Sequence, residues 1–300
     1  MAEFSPIILF TYNRPEHTKK TVEALRCNTL ADQSELIIYS DGPKKTSDLP
    51  EVNLVRDYIH NVSGFKSVKI ITREKNWGLA DSIIEGVTQT IQKYGSVIVL
   101  EDDIVTSPYF LNYMNDALAF YRNKKKVWHI SGWNYPVNPE GMGATFLWRQ
   151  MICWGWGTWQ DRWEFYKKDT QNLLCTFNKK DILYLNLDGY NNAWAQVRAN
   201  KKGKINTWAI YWYAVIIKNR GLCLNPSQTL VENIGLDGSG MHCGLDGHLS
   251  TSLHKDPVRI ESNLDISENV IAVDRIKKYL MDTQFNPVKK VIHRFKNQFV

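Results

Sequence analysis

The sequence predicts an α/β protein with a Rossmann-like, mostly parallel β-sheet flanked by helices and a tryptophan-rich second lobe fused to it. Three observations predict this. Over residues 1–130, short apolar runs alternate with longer segments whose apolar residues repeat at helical spacing. The short runs are nearly continuous and rich in β-branched residues, as expected of strands covered on both faces. Ten of the eleven tryptophans then fall between Trp128 and Trp212, where the strand–helix rhythm becomes irregular.

The elements follow in order. Pro6–Tyr12 reads as a first strand, and Pro15–Arg26 as a helix opened by Pro15 with Val22 and Leu25 on one face. Leu36–Ser40 is a second strand, stopped by Asp41-Gly42-Pro43. A helical segment with Val52, Val55, Tyr58 and Ile59 on one face leads to a third strand, Val68–Thr72. The helix Leu79–Tyr94 carries Ile83, Ile84, Val87 and Ile91 at helical spacing. Val97–Leu100, the helix Pro108–Tyr121 and the strand Val127–Ser131 complete the pattern. The expected division is a first lobe at 1–130, a tryptophan-rich second lobe at 131–250 and a basic, helical C-terminal extension at 251–300.

Composition narrows the function classes. No stretch approaches the roughly 18–20 apolar residues that span a bilayer, and the start MAEFSPIILFTYNRPEH lacks the layout of a signal peptide. Five scattered cysteines without a Cys-x-x-Cys pair read as reduced thiols, so the expected location is the cytoplasm. The net charge of +6 is concentrated in the tail, at Arg275, Lys277, Lys278, Lys289, Lys290, Arg294 and Lys296. With Val291, Ile292, Phe295 and Phe299, that tail has the makings of a segment lying on an anionic membrane surface. No recognition motif accompanies the basic residues, which argues against a nucleic-acid partner.

The chemistry concentrates where strands end. In parallel sheets ligands bind beyond the C-terminal strand ends. Thr11-Tyr12-Asn13-Arg14, Asp41-Gly42 and Glu101-Asp102-Asp103 stand at three such ends. Three adjacent carboxylates repel one another unless a cation or a proton intervenes. A divalent ion that bridges phosphates accounts for the trio and the neighbouring polar residues together, since Mg²⁺ and Mn²⁺ combine few protein carboxylates with phosphate oxygens.

The ordered segments TYNRPEH, YSDG, NWGLADSI and VIVLEDDI resemble the nucleotide-sugar half of GT-A-fold glycosyltransferases. The Glu-Asp-Asp form of the acidic motif is similar to that of bacterial sugar transferases related to N-acetylglucosaminyltransferase I. CWGWGTW and NPSQTLVENIGLDGSGMHC extend the resemblance over about residues 5–245. It implies a transferase using Mn²⁺ or Mg²⁺, with Asp103 as metal ligand and Asp102 facing the ribose or donor sugar. Glu101 would lie beside the transferred sugar, and Asp41 would meet the edge of a uracil or thymine base. Thr11, Asn13 and Arg14 would line the nucleotide. In the glycine-rich loop 233–244, His242 would bind the metal or the diphosphate, and Ser239 would hold phosphate oxygens.

At one point the sequence departs from that pattern. Eukaryotic relatives place a catalytic carboxylate in a Trp-Asp-Asp-Trp turn, whereas INTWAIYWYA has Ala209 and Ile210 between Trp208 and Trp212. An inverting transfer needs a base for the acceptor hydroxyl, and the candidates are Asp161, Glu164, Asp237 and Glu101. Trp154, Trp156 and Trp208 are the candidate sugar-stacking residues of an acceptor cleft, against the alternative of ordinary core packing. The expected acceptor is a surface glycan on a lipid carrier. Two other readings are a nucleotide-binding subunit without catalysis and, ranked lower, a sugar-phosphate nucleotidyltransferase. The latter would need a glycine-rich phosphate loop that TYNRPEHTKK lacks.

Overall fold

The computed structural model describes residues 4–237, 252–261 and 265–284. Four parallel strands, β1 (Ile7–Thr11), β2 (Glu35–Ser40), β3 (Ser67–Thr72) and β4 (Ser96–Glu101), lie in the order β3-β2-β1-β4. The crossovers between them carry α1 (Pro15–Arg26), α2 (Leu49–Ile59) and α3 (Leu79–Tyr94). Pro15 starts α1, and Gly95 ends α3 at φ +80°, a left-handed cap suited to glycine.

After β4 the chain turns at Asp102 and Asp103 into β5 (Ile104–Thr106), followed by α4 (Phe110–Tyr121) and β6 (Val127–Ser131). Next come β7 (Thr145–Trp148) and β8 (Trp156–Trp159). Five helices follow: α5 (Gln160–Trp163), α6 (Thr170–Thr176), α7 (Lys179–Leu185), α8 (Trp194–Lys201) and α9 (Ala209–Lys218). The last described elements are β9 (Leu222–Pro226), β10 (Val231–Asn233) and α10 (Val270–Gln284).

The sheet continues past β4 as β4-β8-β6-β9-β7, giving eight strands. β8 runs antiparallel to both neighbours, and β7 runs antiparallel to β9. The other six strands share one direction, so the sheet is mostly parallel, with helices on both faces. Alternation along each strand divides the core. Ile7, Leu9, Leu36, Ile38, Ile98 and Leu100 face one layer, while Ile8, Phe10, Ile37, Tyr39, Val97 and Val99 face the other. That two-sided burial is why the sequence runs are continuously apolar.

Residues 130 and 131 both lie within β6, so a cut between them would split a strand of the common sheet. The described part of 251–300 is no appendage, because Ala272, Ile276 and Leu280 of α10 are buried in the same core as Phe146 and Trp148. Residues 285–300, which hold the rest of the basic stripe, lie outside the described residues. Among the described residues, no helix is long and apolar enough to cross a membrane.

Candidate functional site

Strand direction places the C-terminal ends of β1, β2 and β4 side by side. Glu101 ends β4, pairing with Phe10, and Asp102 and Asp103 form the tight turn into β5. The turn is fixed by its backbone. Thr21 of α1 donates to the Asp102 carbonyl at 2.9 Å, and the Ile234 N–H donates to the Asp103 carbonyl at 2.9 Å. Both Asp side chains are nearly buried, at 4% and 5% exposure.

One guanidinium serves both acids. Arg14 Nη2 donates to Asp102 Oδ1 and, at 2.9 Å, to Asp103 Oδ2. Burial pulls the Arg14 pKa down, but Asp102 and Asp103 outweigh it and hold the guanidinium above its ordinary value. Burial raises the Asp102 carboxyl to about 6 even against the pull of Arg14. Burial, Asp103 and Asp102 together push Glu101 to about 8. Two carboxylates, Asp102 and Asp103, thus share one guanidinium, and Glu101 beside them is held mostly protonated at neutral pH. Among the described residues two atoms at the centre have no partner: Arg14 Nη1 and Asp103 Oδ1 are both buried without a hydrogen bond.

Gly235 closes this space from the far side. A methyl group there would overlap the Asp103 carboxylate and stand 3.0 Å from Arg14 Nη1. Only a residue without a side chain permits the approach. The unpartnered Asp103 oxygen and the glycine cradle suit a hard cation that takes one carboxylate oxygen and fills its shell from phosphate. Among the described residues no three His, Cys, Asp or Glu side chains converge to bind a metal without such help. His242 and Ser239 lie outside the described residues.

Other expected residues fall differently. Asp41 is 7% exposed and accepts four donors from its own loops: the N–H groups of Gly42, Trp77 and Gly78 and the Asn76 amide, at 2.9–3.2 Å. Its oxygens are committed, so it anchors the Asn76–Gly78 loop and is not free to read a base edge. The Thr11 hydroxyl is likewise spent inside the sheet, donating to the Tyr39 carbonyl at 3.3 Å. Asn13 sits half-buried in the β1–α1 turn.

Trp77, the one tryptophan outside the cluster, was not among the expected site residues. Its ring is 48% exposed, beside the Asp41 anchor, with the Arg73 guanidinium 4.0 Å from the ring centre. Its isolation from the other ten was the available signal.

Two base candidates are on the wrong side. Because β8 is antiparallel to β4, Trp159 pairs with Ser96, and Gln160 N–H donates to the Gly95 carbonyl at 2.9 Å. Asp161 and Glu164 therefore lie at the N-terminal end of β4, a strand length of about 17 Å from Glu101. Asp161 is also paired with Lys125 and Arg162. Asp237 lies on the correct side, in the turn Ile234–Asp237 that contacts Asp103, with its carboxylate 3.2 Å from His17 Nε2.

The tryptophans also separate. Trp156 is fully buried and stacks on Trp208 at 5.0 Å and on His129 at 5.3 Å. Trp208 is 3% exposed. Both are core, with no face open to a sugar. Trp154 is half-buried, edge-on to Trp133 at 4.9 Å.

Comparison with known proteins gives this geometry its context. Residues 7–177 match the family described as glycosyl transferase family 2. No curated protein matches the chain. Among solved structures, TarS of S. aureus is 17% identical with a TM-score of 0.30, over 43% of this chain and 21% of TarS. This chain thus spans about a fifth of the length of TarS. The mannosyltransferase PcManGT from Pyrobaculum calidifontis, solved with GDP-Man and Mn²⁺, is 10% identical with a TM-score of 0.39, over 71% of this chain and 68% of that one. The family match runs through β1–β4, the acid turn and β8, more than half of the chain, and so this protein belongs to glycosyltransferase family 2.

Proposed function

We propose that this nucleotide-sugar glycosyltransferase works with Mn²⁺ or Mg²⁺ on a UDP- or dTDP-sugar. The sugar would pass with inversion to a surface-glycan acceptor, such as a lipid-linked O-antigen or capsule intermediate. The observation that carries the metal is the acid turn, where Asp102 and Asp103 meet one guanidinium and Asp103 Oδ1 is buried without a partner among the described residues. Asp103 would hold the cation, with His242 a second ligand and Ser239 a phosphate contact from the loop beyond Asp237. When bound, the ion supplies neutralisation of the charge left on the departing diphosphate.

Around it, Asp102 would meet the ribose or donor sugar and Glu101 the transferred sugar, while Asn13 and Arg14 would line the nucleotide. Asp237 is the base this geometry favours, since it shares a turn with Gly235 and has its side chain 49% exposed. Trp154 remains the aromatic candidate for the acceptor side. The kinship to N-acetylglucosaminyltransferase I rests on the Glu-Asp-Asp motif, and membrane contact rests on the basic residues past 285.

A binding subunit without catalysis is the second reading, favoured by one observation. α9 opens with Ala209 and Ile210 where relatives would carry acids. The deciding experiment is a panel of nucleotide sugars incubated with wild type and Asp103→Ala, with and without Mn²⁺, following binding and slow hydrolysis. Metal-dependent hydrolysis of one UDP- or dTDP-sugar, lost in Asp103→Ala, is the expected result. Binding without turnover in the presence of lipid-linked acceptors would favour the subunit. Absence of any binding would remove the donor reading.

A further inference from the structure

The acid turn carries a cation of its own, Arg14, and the arrangement is unfinished at two atoms among the described residues. Arg14 places a single nitrogen between Asp102 and Asp103. Its other amino group, Nη1, is buried, unpartnered and turned toward Gly235. A guanidinium has two amino groups suited to paired anionic oxygens, and here only one of them is used.

We propose that Arg14 is the resident counter-ion of Asp102 and Asp103, and that it gives up these acids to an incoming divalent cation while turning to the diphosphate that the cation carries. This rests on the metal-dependent reading above. An ion bound at Asp103 Oδ1 would share that carboxylate with the guanidinium on Oδ2, placing like charges in near contact. Leaving the acids relieves that repulsion, and phosphate oxygens give both amino groups partners. The Arg14 backbone stays in place, since its carbonyl accepts from Thr18 N–H at 2.9 Å and Thr18 Oγ1 at 2.9 Å and Pro15 follows it. A side-chain rotation suffices, and the side chain is 20% exposed.

The consequence is thermodynamic coupling. Metal alone must evict a bound cation, and diphosphate alone must draw Arg14 from two carboxylates. Each ligand removes the other's penalty, and by linkage each raises the other's affinity by the same factor. We expect that factor to be about tenfold or more, inside the usual range for two coupled sites.

The test uses Mn²⁺ and UDP as probes, with dTDP and GDP as alternates. Free Mn²⁺ is followed by electron paramagnetic resonance and heat by calorimetry, on wild type, Arg14→Gln and Arg14→Lys. Wild type should bind Mn²⁺ weakly alone and about tenfold tighter with nucleotide. Arg14→Gln should bind Mn²⁺ alone about tenfold tighter than wild type, with the coupling reduced to within about twofold of none. Equal or weaker Mn²⁺ binding by Arg14→Gln would overturn the proposal, because Arg14 would then be supporting the site.

If Arg14→Gln does not fold, as judged by circular dichroism, Arg14→Lys carries the test. A lysine ammonium ends one bond short of Arg14 Nη2 and is more strongly hydrated, so it should hold the two acids less well and Mn²⁺ alone should bind several-fold tighter than in wild type. No tightening would again overturn the proposal. If wild type takes up no Mn²⁺ with any of the three diphosphates, the metal reading itself fails, an outcome distinct from the failures above.

Discussion

A carboxylate that already accepts four N–H groups has little left to offer a ligand, and Asp41 is in that position. Replacing it with Asn would turn an amide donor toward those donors. Asp41→Asn should lose about 1–3 kcal/mol of stability through unpaired groups, read by urea unfolding. The exposed Trp77 ring, backed by Arg73, is the better candidate to meet the base. Trp77→Ala should weaken UDP binding about 5- to 150-fold by calorimetry, given about 1–3 kcal/mol for base–aromatic stacking. Unchanged affinity would place the base elsewhere. At this scale the sequence was a partial guide. Glu101, Asp102 and Asp103 were legible because three adjacent acids at a strand end are anomalous on charge alone. The commitment of Asp41 was not, because three of its four partners lie 35–37 residues away.

Among the elements, β7 and α10 are joined by an ion cluster rather than by apolar contact alone. Arg149, just past β7, binds Glu268 with Nε and Nη2, each at 2.7 Å, and also reaches Asp188 at 3.0 Å. Lys277 of α10 completes it on Asp188 at 2.8 Å. The Arg149 side chain is 9% exposed, so its removal strands Glu268 in a poorly solvated position. Arg149→Met should cost about 2–4 kcal/mol, close to the range for breaking a buried pair. Limited proteolysis should then cut near 261–269 first. A cut elsewhere, with stability unchanged, would mean the apolar face of α10 holds without the cluster. None of this was readable beforehand, since an ion cluster drawn from residues 149, 188, 268 and 277 has no local signature.

For the molecule as a whole, acid stability is set in part by His129, buried in the centre of the sheet. Its Nδ1 accepts from Trp212 Nε1 at 3.3 Å and its Nε2 faces the Ile152 carbonyl at 2.9 Å, which fixes a neutral ring. Burial lowers its pKa from 6.5 to about 3, despite the bond to Ile152. Between those values the unfolded chain binds a proton that the folded chain refuses, so folded stability falls as pH falls. The slope is about 1.4 kcal/mol per pH unit below 6.5. His129→Gln should flatten that part of the profile when unfolding is measured at pH 7, 6 and 5. An equal slope in both proteins would mean that other groups set it. The first nine expected strands and helices were legible because each is a short apolar run or repeats its apolar face locally. The second half was not, since its strands are short, aromatic and paired out of chain order. The direction of β8, which decides where Asp161 and Glu164 lie, depends on partners that no local pattern specifies.

That out-of-order strand also sets a schedule. β8 lies between β4 and β6 although the chain makes it after both. Until residue 159 has emerged during synthesis, β4 has an unfilled flank, and the two halves of the sheet have no strand through which to join. A nascent chain stopped at residue 150 would hold four parallel strands with a bare hydrogen-bonding edge at β4, the kind of edge that recruits other chains. Ten residues more would close it. Passage through those ten residues therefore separates a sticky intermediate from a committed fold. In a series of truncations the step from aggregated to soluble protein should come after β8, not at the apparent end of the first lobe.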